Sequence, residues 1–139
     1  MTAAFEILEH PADIGFRAYG ATREELFENA ALALFSLTCD PVNVQEIETR
    51  DVEVSSGDPE LLLYGWLAEL LAIAEAERLV LHRAKVTELS ANRIAGRVFG
   101  EPFERARHPM HTHIKAVTLH QFSVEQTARG WRAQVFVDL

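Results

Sequence analysis

The residues with the clearest ligand chemistry are an aspartate near the start of the chain and two acidic groups at its end. Asp13 stands in the segment HPADIGFRAYG, Asp138 is the penultimate residue, and Leu139 carries the terminal carboxylate. Converging negative charges repel one another, and a bound divalent cation relieves that repulsion. Oxygen ligands favour Ca²⁺, Mg²⁺ or Mn²⁺ over zinc. If the two ends of the chain meet, these three groups are predicted to hold such an ion; otherwise they are solvated surface charges.

A second candidate is the histidine-rich segment HPMHTHIKAVTLH. It contains His108, His111, His113 and His120. On a strand, His111 and His113 would share a face, and two imidazoles placed in this way can bind zinc or nickel. The competing interpretation is a polar loop followed by a histidine at the end of a strand, because no third ligand stands at a characteristic spacing. His10, beside a proline, is expected to make a hydrogen bond that shapes a turn.

Lys115 is unusual because it lies in the apolar run IKAVT. Strand alternation would put it on one face with Val117 and Leu119, where it needs a carboxylate partner or an open sheet edge. It therefore either pairs with an acidic cluster or protects an edge strand from aggregation. The sequence contains no phosphate-binding loop, dinucleotide fingerprint, nucleophile elbow or zinc-protease motif, and we predict no catalytic residue.

The composition restricts the class of protein. The chain has 139 residues, of which 48% are hydrophobic, and a net charge of −8. This is enough apolar material for a core, whereas direct binding of nucleic acid normally requires a basic surface. The single cysteine, Cys39, has no disulfide partner in the chain and is expected to be a small buried hydrophobic residue. We find neither a signal segment nor an apolar run of membrane-spanning length, so the expected compartment is the cytoplasm.

Periodicity and capping predict the elements that position these residues. A capping box from Thr22 to Glu25 begins one helix, which ends near Cys39, and Asp58 with Pro59 begins a second helix that reaches about Arg78. On the last strand, alternation places Phe136 on the polar face with Asp138. Strands are predicted within residues 5–10, 13–20, 42–56, 84–89, 93–100, 113–126 and 130–139. The expected fold is a single α+β domain over residues 1–139, with two main helices on a mostly antiparallel sheet or on two such sheets.

Three segments resemble the archease family in the same order along the chain. HPADIGFRAYG resembles the signature His-Thr-Ala-Asp-Ile-Gly, DPELLLYGWLAELLAIAE a leucine-rich second helix, and IKAVTLHQFSVEQTARGWRAQVFVDL the C-terminal strands with their closing aspartate. The chain departs from the family pattern at Pro11, where threonine is usual, and at Leu119, where tyrosine is usual. Gly65 stands where an acidic residue is frequent, which removes a carboxylate from any partner contact made by that helix.

The resemblance implies an archease-like fold and an accessory role beside a GTP-dependent RNA ligase that seals tRNA halves, with RNA reached only through the ligase. Such a protein is not itself an enzyme; it promotes attachment of GMP to the ligase and repeated turnover. The resemblance also implies a divalent cation, often Ca²⁺ in crystals, held by Asp13, Asp138 and Leu139. His10 and Lys115 are then candidates for support or partner contact. The alternatives are a chaperone-like module for RNA-modifying proteins and a metal-dependent hydrolase that uses the two aspartates and a histidine.

Overall fold

The strand-forming segments assemble into two antiparallel sheets, against which two helices pack. The computed structural model describes residues 3–10 and 13–139, apart from the side chain of His10. The helices are α1 (Arg23–Thr38) and α2 (Leu62–Glu77). The strands are β1 (Phe5–His10), β2 (Asp13–Gly20), β3 (Glu48–Ser55), β4 (Leu79–Leu89), β5 (Arg93–Pro102), β6 (Ala116–Val117), β7 (Ser123–Thr127) and β8 (Gly130–Asp138).

The larger sheet has five strands in the order β1-β2-β8-β6, with β7 also paired to β8. The smaller sheet has three strands in the order β3-β5-β4. All of these strand pairs are antiparallel. The main hydrophobic cluster draws on both helices and both sheets, with Phe16, Phe27 and Trp66 among its largest buried side chains. The predicted fold class, two helices on antiparallel sheet in an α+β arrangement, is therefore confirmed.

The capping residues mark the start of α1 and the start of the 3₁₀ turn that precedes α2. The Thr22 hydroxyl accepts a hydrogen bond from the Glu25 N–H at 3.1 Å, and α1 ends at the extended, buried Cys39. The Asp58 carboxylate accepts one from the Glu60 N–H at 2.9 Å, and a short 3₁₀ turn, Pro59–Leu61, then leads into α2. Side-chain acceptors of this kind satisfy amides that the first helical turn leaves unpaired.

Gly65 explains how α2 can pack closely on the smaller sheet. A Cβ atom built at Gly65 would lie 2.9 Å from Cγ1 of Val54 on β3, a distance too short for ordinary contact. An acidic side chain at this position would have to displace Val54 or redirect the helix. In this chain the position therefore serves the contact between helix and sheet.

Two predicted strand segments were partly wrong, whereas residues 42–56, predicted to hold one or two strands, hold one, β3. Residues 41–43 form a 3₁₀ turn, because Pro41 begins it and the Asp40 carboxylate accepts from the Val42 N–H at 3.1 Å. Strand β4 begins at Leu79, five residues before the predicted start at 84, since Arg78 ends α2 in the left-handed conformation at φ 52° and the chain turns directly into the sheet. Residues 113–126 do not form one strand, because a turn separates the short β6 from β7.

Candidate metal centre

The two ends of the predicted cation site lie on hydrogen-bonded neighbouring strands. In the antiparallel pairing of β2 with β8, Ile14 stands opposite Val137. Asp13, one residue before Ile14, and Asp138, one residue after Val137, therefore lie at the same end of this strand pair. On the other side of β8, Ala116 of β6 stands opposite Asp138. The opening segment and the end of the chain therefore meet at one end of the five-stranded sheet, which is the condition that the prediction required.

The donor groups at this end of the sheet suit a hard cation. Asp13, Asp138 and Leu139 are all exposed, and carboxylate oxygens are the ligands that Ca²⁺, Mg²⁺ and Mn²⁺ prefer. Over residues 3–10 and 13–139, no group of three or more His, Cys, Asp and Glu side chains is arranged to hold a metal ion. The predicted set contains only two such side chains and takes its third group from the main-chain terminus. The residues thus fit a divalent cation, and ligation itself stays a prediction.

Lys115 does not lie in the middle of a strand, contrary to the alternation argument. It precedes the two-residue strand β6, and both Ile114 and Val117 are buried, which a strict period of two forbids. The Lys115 side chain is exposed, while its main-chain N–H donates to the Asp138 carbonyl at 2.8 Å. The lysine therefore fixes the backbone of Asp138; a supporting or partner-binding role for its ammonium group stays a prediction.

His10 is paired with Asp13 across the β1–β2 ladder. Its side chain, together with Pro11 and Ala12, lies outside the described part of the structure. The hydrogen bond predicted to shape this turn falls on those atoms and stays a prediction.

Phe136 and His120 lie beside this candidate site, where the sequence analysis placed neither of them. Phe136 is only 4% exposed, although alternation placed it on the polar face of β8. It stands opposite Gly15, where a Cβ would lie 2.7 Å from the phenyl Cδ1 atom. The His120 ring packs on Phe136 with 5.6 Å between ring centroids, and its Nε2 lies 4.0 Å from Oδ2 of Asp13. A glycine opposite an aromatic residue could have indicated the buried position of Phe136, whereas the position of His120 depends on a turn.

Comparison with known proteins decides the family. A family model described as the archease protein family (MTH1598/TM1083) matches residues 5–139. The chain belongs to the archease family. Protein archease of Methanosarcina mazei is 45% identical to it, over 97% of this chain and 95% of that protein. Protein archease of Pyrococcus furiosus is 40% identical, over 97% of this chain and 98% of that protein.

A solved archease-like structure shares the fold. The solution structure of Methanobacterium thermoautotrophicum protein 1598 superposes with a TM-score of 0.82 at 36% identity, over 98% of this chain and 99% of that one. Within the described ranges 3–10 and 13–139, no helix of this archease-family chain is long and apolar enough to cross a membrane.

The histidine-rich segment does not form the strand that the zinc or nickel interpretation required. His111 and His113 are exposed and lie outside the strands. His108, predicted at a polar loop rim, is instead completely buried. Its Nδ1 accepts a hydrogen bond from the Glu104 N–H at 2.8 Å, and its Nε2 lies 3.1 Å from Oε2 of Glu101. This buried ring, with one hydrogen bond at Nδ1 and a carboxylate beside Nε2, serves the packing of the loop.

Glu101 carries a buried charge that sequence reasoning missed. The side chain is 1% exposed, accepts the Gln45 N–H at 2.7 Å, and receives two hydrogen bonds from the Arg107 guanidinium at 2.8 and 3.1 Å. The Gln45 N–H first, and then His108 and Arg107, lower the pKa of Glu101 to about 2 against the opposing effect of burial. A glutamate beside a proline at the end of a strand carries no local signal of burial, because its partners come from two separate loops.

Proposed function

We propose that this protein is a non-catalytic activator of a GTP-dependent RNA ligase that seals tRNA halves and other broken RNAs. In this proposal it promotes attachment of GMP to the ligase and repeated turnover, and it carries a divalent cation at the end of the five-stranded sheet. Membership of the archease family supports the accessory role. The single observation that supports the cation site is the antiparallel pairing of β2 with β8, in which Asp13 precedes Ile14 and Asp138 follows Val137, so that both aspartates lie beside this opposed pair at the same end of the sheet.

The residues that would hold the ion are Asp13, Asp138 and the terminal carboxylate of Leu139. When bound, a divalent cation would offset negative charge that develops on the GTP phosphates. The main-chain N–H of Lys115 orients the Asp138 backbone, and the antiparallel ladder fixes the spacing of the two aspartate-bearing strands. Because all three donors are exposed, the site can reach a partner protein without any opening of the fold.

The acidic character of the whole chain supports a role in which this protein contacts the ligase and only the ligase contacts RNA. With a net charge of −8, the protein lacks the excess of Lys and Arg that neutralises phosphates in nucleic-acid-binding proteins. We therefore assign contact with RNA to the ligase and contact with the ligase to this protein. The cytoplasmic location inferred from the sequence belongs to the same proposal, and cell fractionation checks it.

The decisive experiment measures GMP attachment to the ligase and multiple-turnover ligation, each with and without this protein. We expect wild-type protein to stimulate both, and Asp13→Ala and Asp138→Ala to lose stimulation by about tenfold or more, since each variant removes a carboxylate ligand. The matched control is Asp51→Ala, because the Asp51 side chain on β3 is 88% exposed and belongs to the other sheet.

Two results would contradict the proposal. Full stimulation by both aspartate variants, with their folding verified by circular dichroism, would remove the cation site from the mechanism. Phosphoester hydrolysis by the purified protein alone would favour the hydrolase alternative, and suppression of aggregation of unrelated proteins without any effect on the ligase would favour the chaperone-like alternative.

A further inference from the structure

Strand β1 forms an edge of the larger sheet and presents a regular row of backbone groups to solvent. Among the described residues β2 is its only strand partner, and their pairing runs the length of β1 without a register shift. The Tyr19 N–H donates to the Ala4 carbonyl at 2.9 Å, so these two residues form a hydrogen-bonded pair. Because such pairs alternate along an antiparallel ladder, the N–H and C=O groups of Phe5, Ile7 and Glu9 point away from β2.

The other edges of the two sheets are protected against further pairing, as exposed edges usually are. Two register shifts interrupt β4, and the Glu28 carboxylate accepts the Val86 N–H of that strand at 2.9 Å. Strand β3 is rich in charged side chains, of which Arg50 is paired with Glu77 of α2. Strand β6 has two residues, and the exposed side chains of β7 are polar. Strand β1 is therefore the edge that least opposes the addition of a strand.

An apolar side chain of β1 is left uncovered at this edge. Ile7 stands opposite Phe16, which is completely buried, and opposed residues project to the same face of a sheet. Ile7 thus lies on the core face, yet it is 39% exposed. It is the only large apolar side chain of any described strand that is more than a third exposed. A further strand beside β1 would bury it.

Carboxylates on β1 determine which kind of strand fits this edge. Glu9 is exposed on the face of Ile7, and no described residue makes a hydrogen bond or ion pair with its carboxylate. Glu6, on the other face, already accepts the Tyr19 hydroxyl at 2.7 Å and lies 3.5 Å from Arg17. A second copy of β1 would add two carboxylates to this edge of a chain with a net charge of −8. A basic segment instead supplies a cation opposite Glu9.

We propose that β1 is a docking edge for an extended basic segment of the ligase, which adds a sixth strand to the five-stranded sheet. The inference rests on the proposed function and names the surface that binds the partner. The segment pairs with the outward backbone groups of β1, places an apolar side chain beside Ile7 and a lysine or arginine beside Glu9. Since His10 at the end of β1 pairs with Asp13, the docked strand extends along the edge that ends at the proposed cation site.

Calorimetric titration of the ligase with the full chain tests both kinds of contact. We expect Glu9→Lys to weaken binding by about tenfold, because it places like charges opposite each other. The control is Glu69→Lys, which makes the same change of charge on an exposed residue of α2 and is expected to bind as wild type does. Ile7→Pro removes an outward N–H without breaking a hydrogen bond to β2, and is expected to weaken binding by about tenfold or more.

Amide hydrogen exchange of wild type gives a second readout that needs no variant. In the free protein the outward amides of Ile7 and Glu9 are expected to exchange faster than the inward amide of Leu8, and in the complex they are expected to become protected. A complex without this protection, or equal affinities of wild type and Glu9→Lys, would overturn the role of β1 and leave the proposed function standing. A wild-type dimer in analytical ultracentrifugation that Glu9→Lys changes would assign the edge to a second copy and overturn it as well. Failure of wild type to bind or stimulate the ligase would overturn the proposed function itself.

Discussion

At the scale of single residues, the candidate site depends on one absent side chain as well as on its charged groups. Gly15 follows Asp13 by two positions on the same face of β2, and the space it leaves is occupied by Phe136. The segment around Asp13 therefore supplies a donor group and shapes the surface beside it. This gives a physical reason for a glycine two residues after the aspartate.

Gly15→Ala is predicted to destabilise the fold by about 1–3 kcal/mol, because the new methyl group would press on the Val135 carbonyl and on Phe136. The free energy of unfolding in urea measures the effect. Gly57→Ala is the matched control, because a Cβ there meets no atom within 4 Å. Equal stability of the two variants would show that Phe136 and the backbone move aside easily.

The sequence draws attention to Asp13 and Asp138, because acidic residues in apolar or terminal positions stand out by type and place, and their role as ligands stays a prediction. It named His120 in the histidine-rich segment but did not place His120 or a buried Phe136 beside Asp13. The position of His120 follows from a turn with a left-handed residue, Gln121, about which strand alternation carries no information. The burial of Phe136 follows from its place opposite Gly15 on β2. The same holds for Glu101, whose partners Gln45 and Arg107 come from separate segments.

At the scale of elements, one buried carboxylate helps to fasten the segment that follows β5 to the rest of the fold. Glu101 lies at the end of β5 and contacts Gln45, which follows the 3₁₀ turn after α1, as well as Arg107 and His108 further along its own loop. A charge that is buried but fully hydrogen-bonded resists protonation, and its removal leaves its donors unpaired.

Glu101→Gln is predicted to cost on the order of 2 kcal/mol of stability near neutral pH. Because folding lowers the pKa of Glu101 from 4.5 to about 2, its contribution is complete above pH 4.5 and disappears as the pH falls toward 2. Urea unfolding of wild type and variant across this pH range measures how their free energies of unfolding converge. The control is Glu104→Gln, whose side chain is 59% exposed at 3.5 Å from Arg107 and should change stability little. A constant difference between wild type and Glu101→Gln at all pH values would contradict this assignment.

The elements differ in how far local patterns predict them. Helix α1 and the start of α2 were predicted closely, since Thr22 and Asp58 act through neighbouring amides. Strand β6 was predicted poorly, because Ile114 and Val117 are both buried at a spacing of three and the segment is shaped by its contacts with β8. Local chemistry determines caps, whereas partners distant in the chain determine short edge strands.

At the scale of the whole molecule, the negative net charge supports the proposal that the ligase, and not this protein, contacts RNA. The net charge of −8 opposes approach to a polyanion, while the exposed carboxylates at the sheet end attract cations. An accessory protein of this kind is expected to contact RNA through the ligase alone.

Direct binding of RNA by the isolated protein is therefore predicted to be weaker than a dissociation constant of about 10⁻⁴ M at physiological salt. Fluorescence anisotropy with a labelled tRNA half measures this value, and the ligase serves as the positive control. Micromolar binding by the isolated protein, weakening steeply as salt is added, would show an unrecognised basic surface and would contradict the assignment of RNA contact to the partner.

Strand β8, the last in sequence, lies between β2 on one side and β6 and β7 on the other. Its pairing with β2 joins segments separated by more than a hundred positions, as in the contact between Arg17 and Gln134, which are 117 residues apart. During synthesis the β1–β2 hairpin therefore emerges from the ribosome long before β8, the strand that pairs with it in the larger sheet. Contacts between segments so far apart in the chain form slowly. Until they form, the apolar face of the hairpin is exposed and can contact the wrong segments.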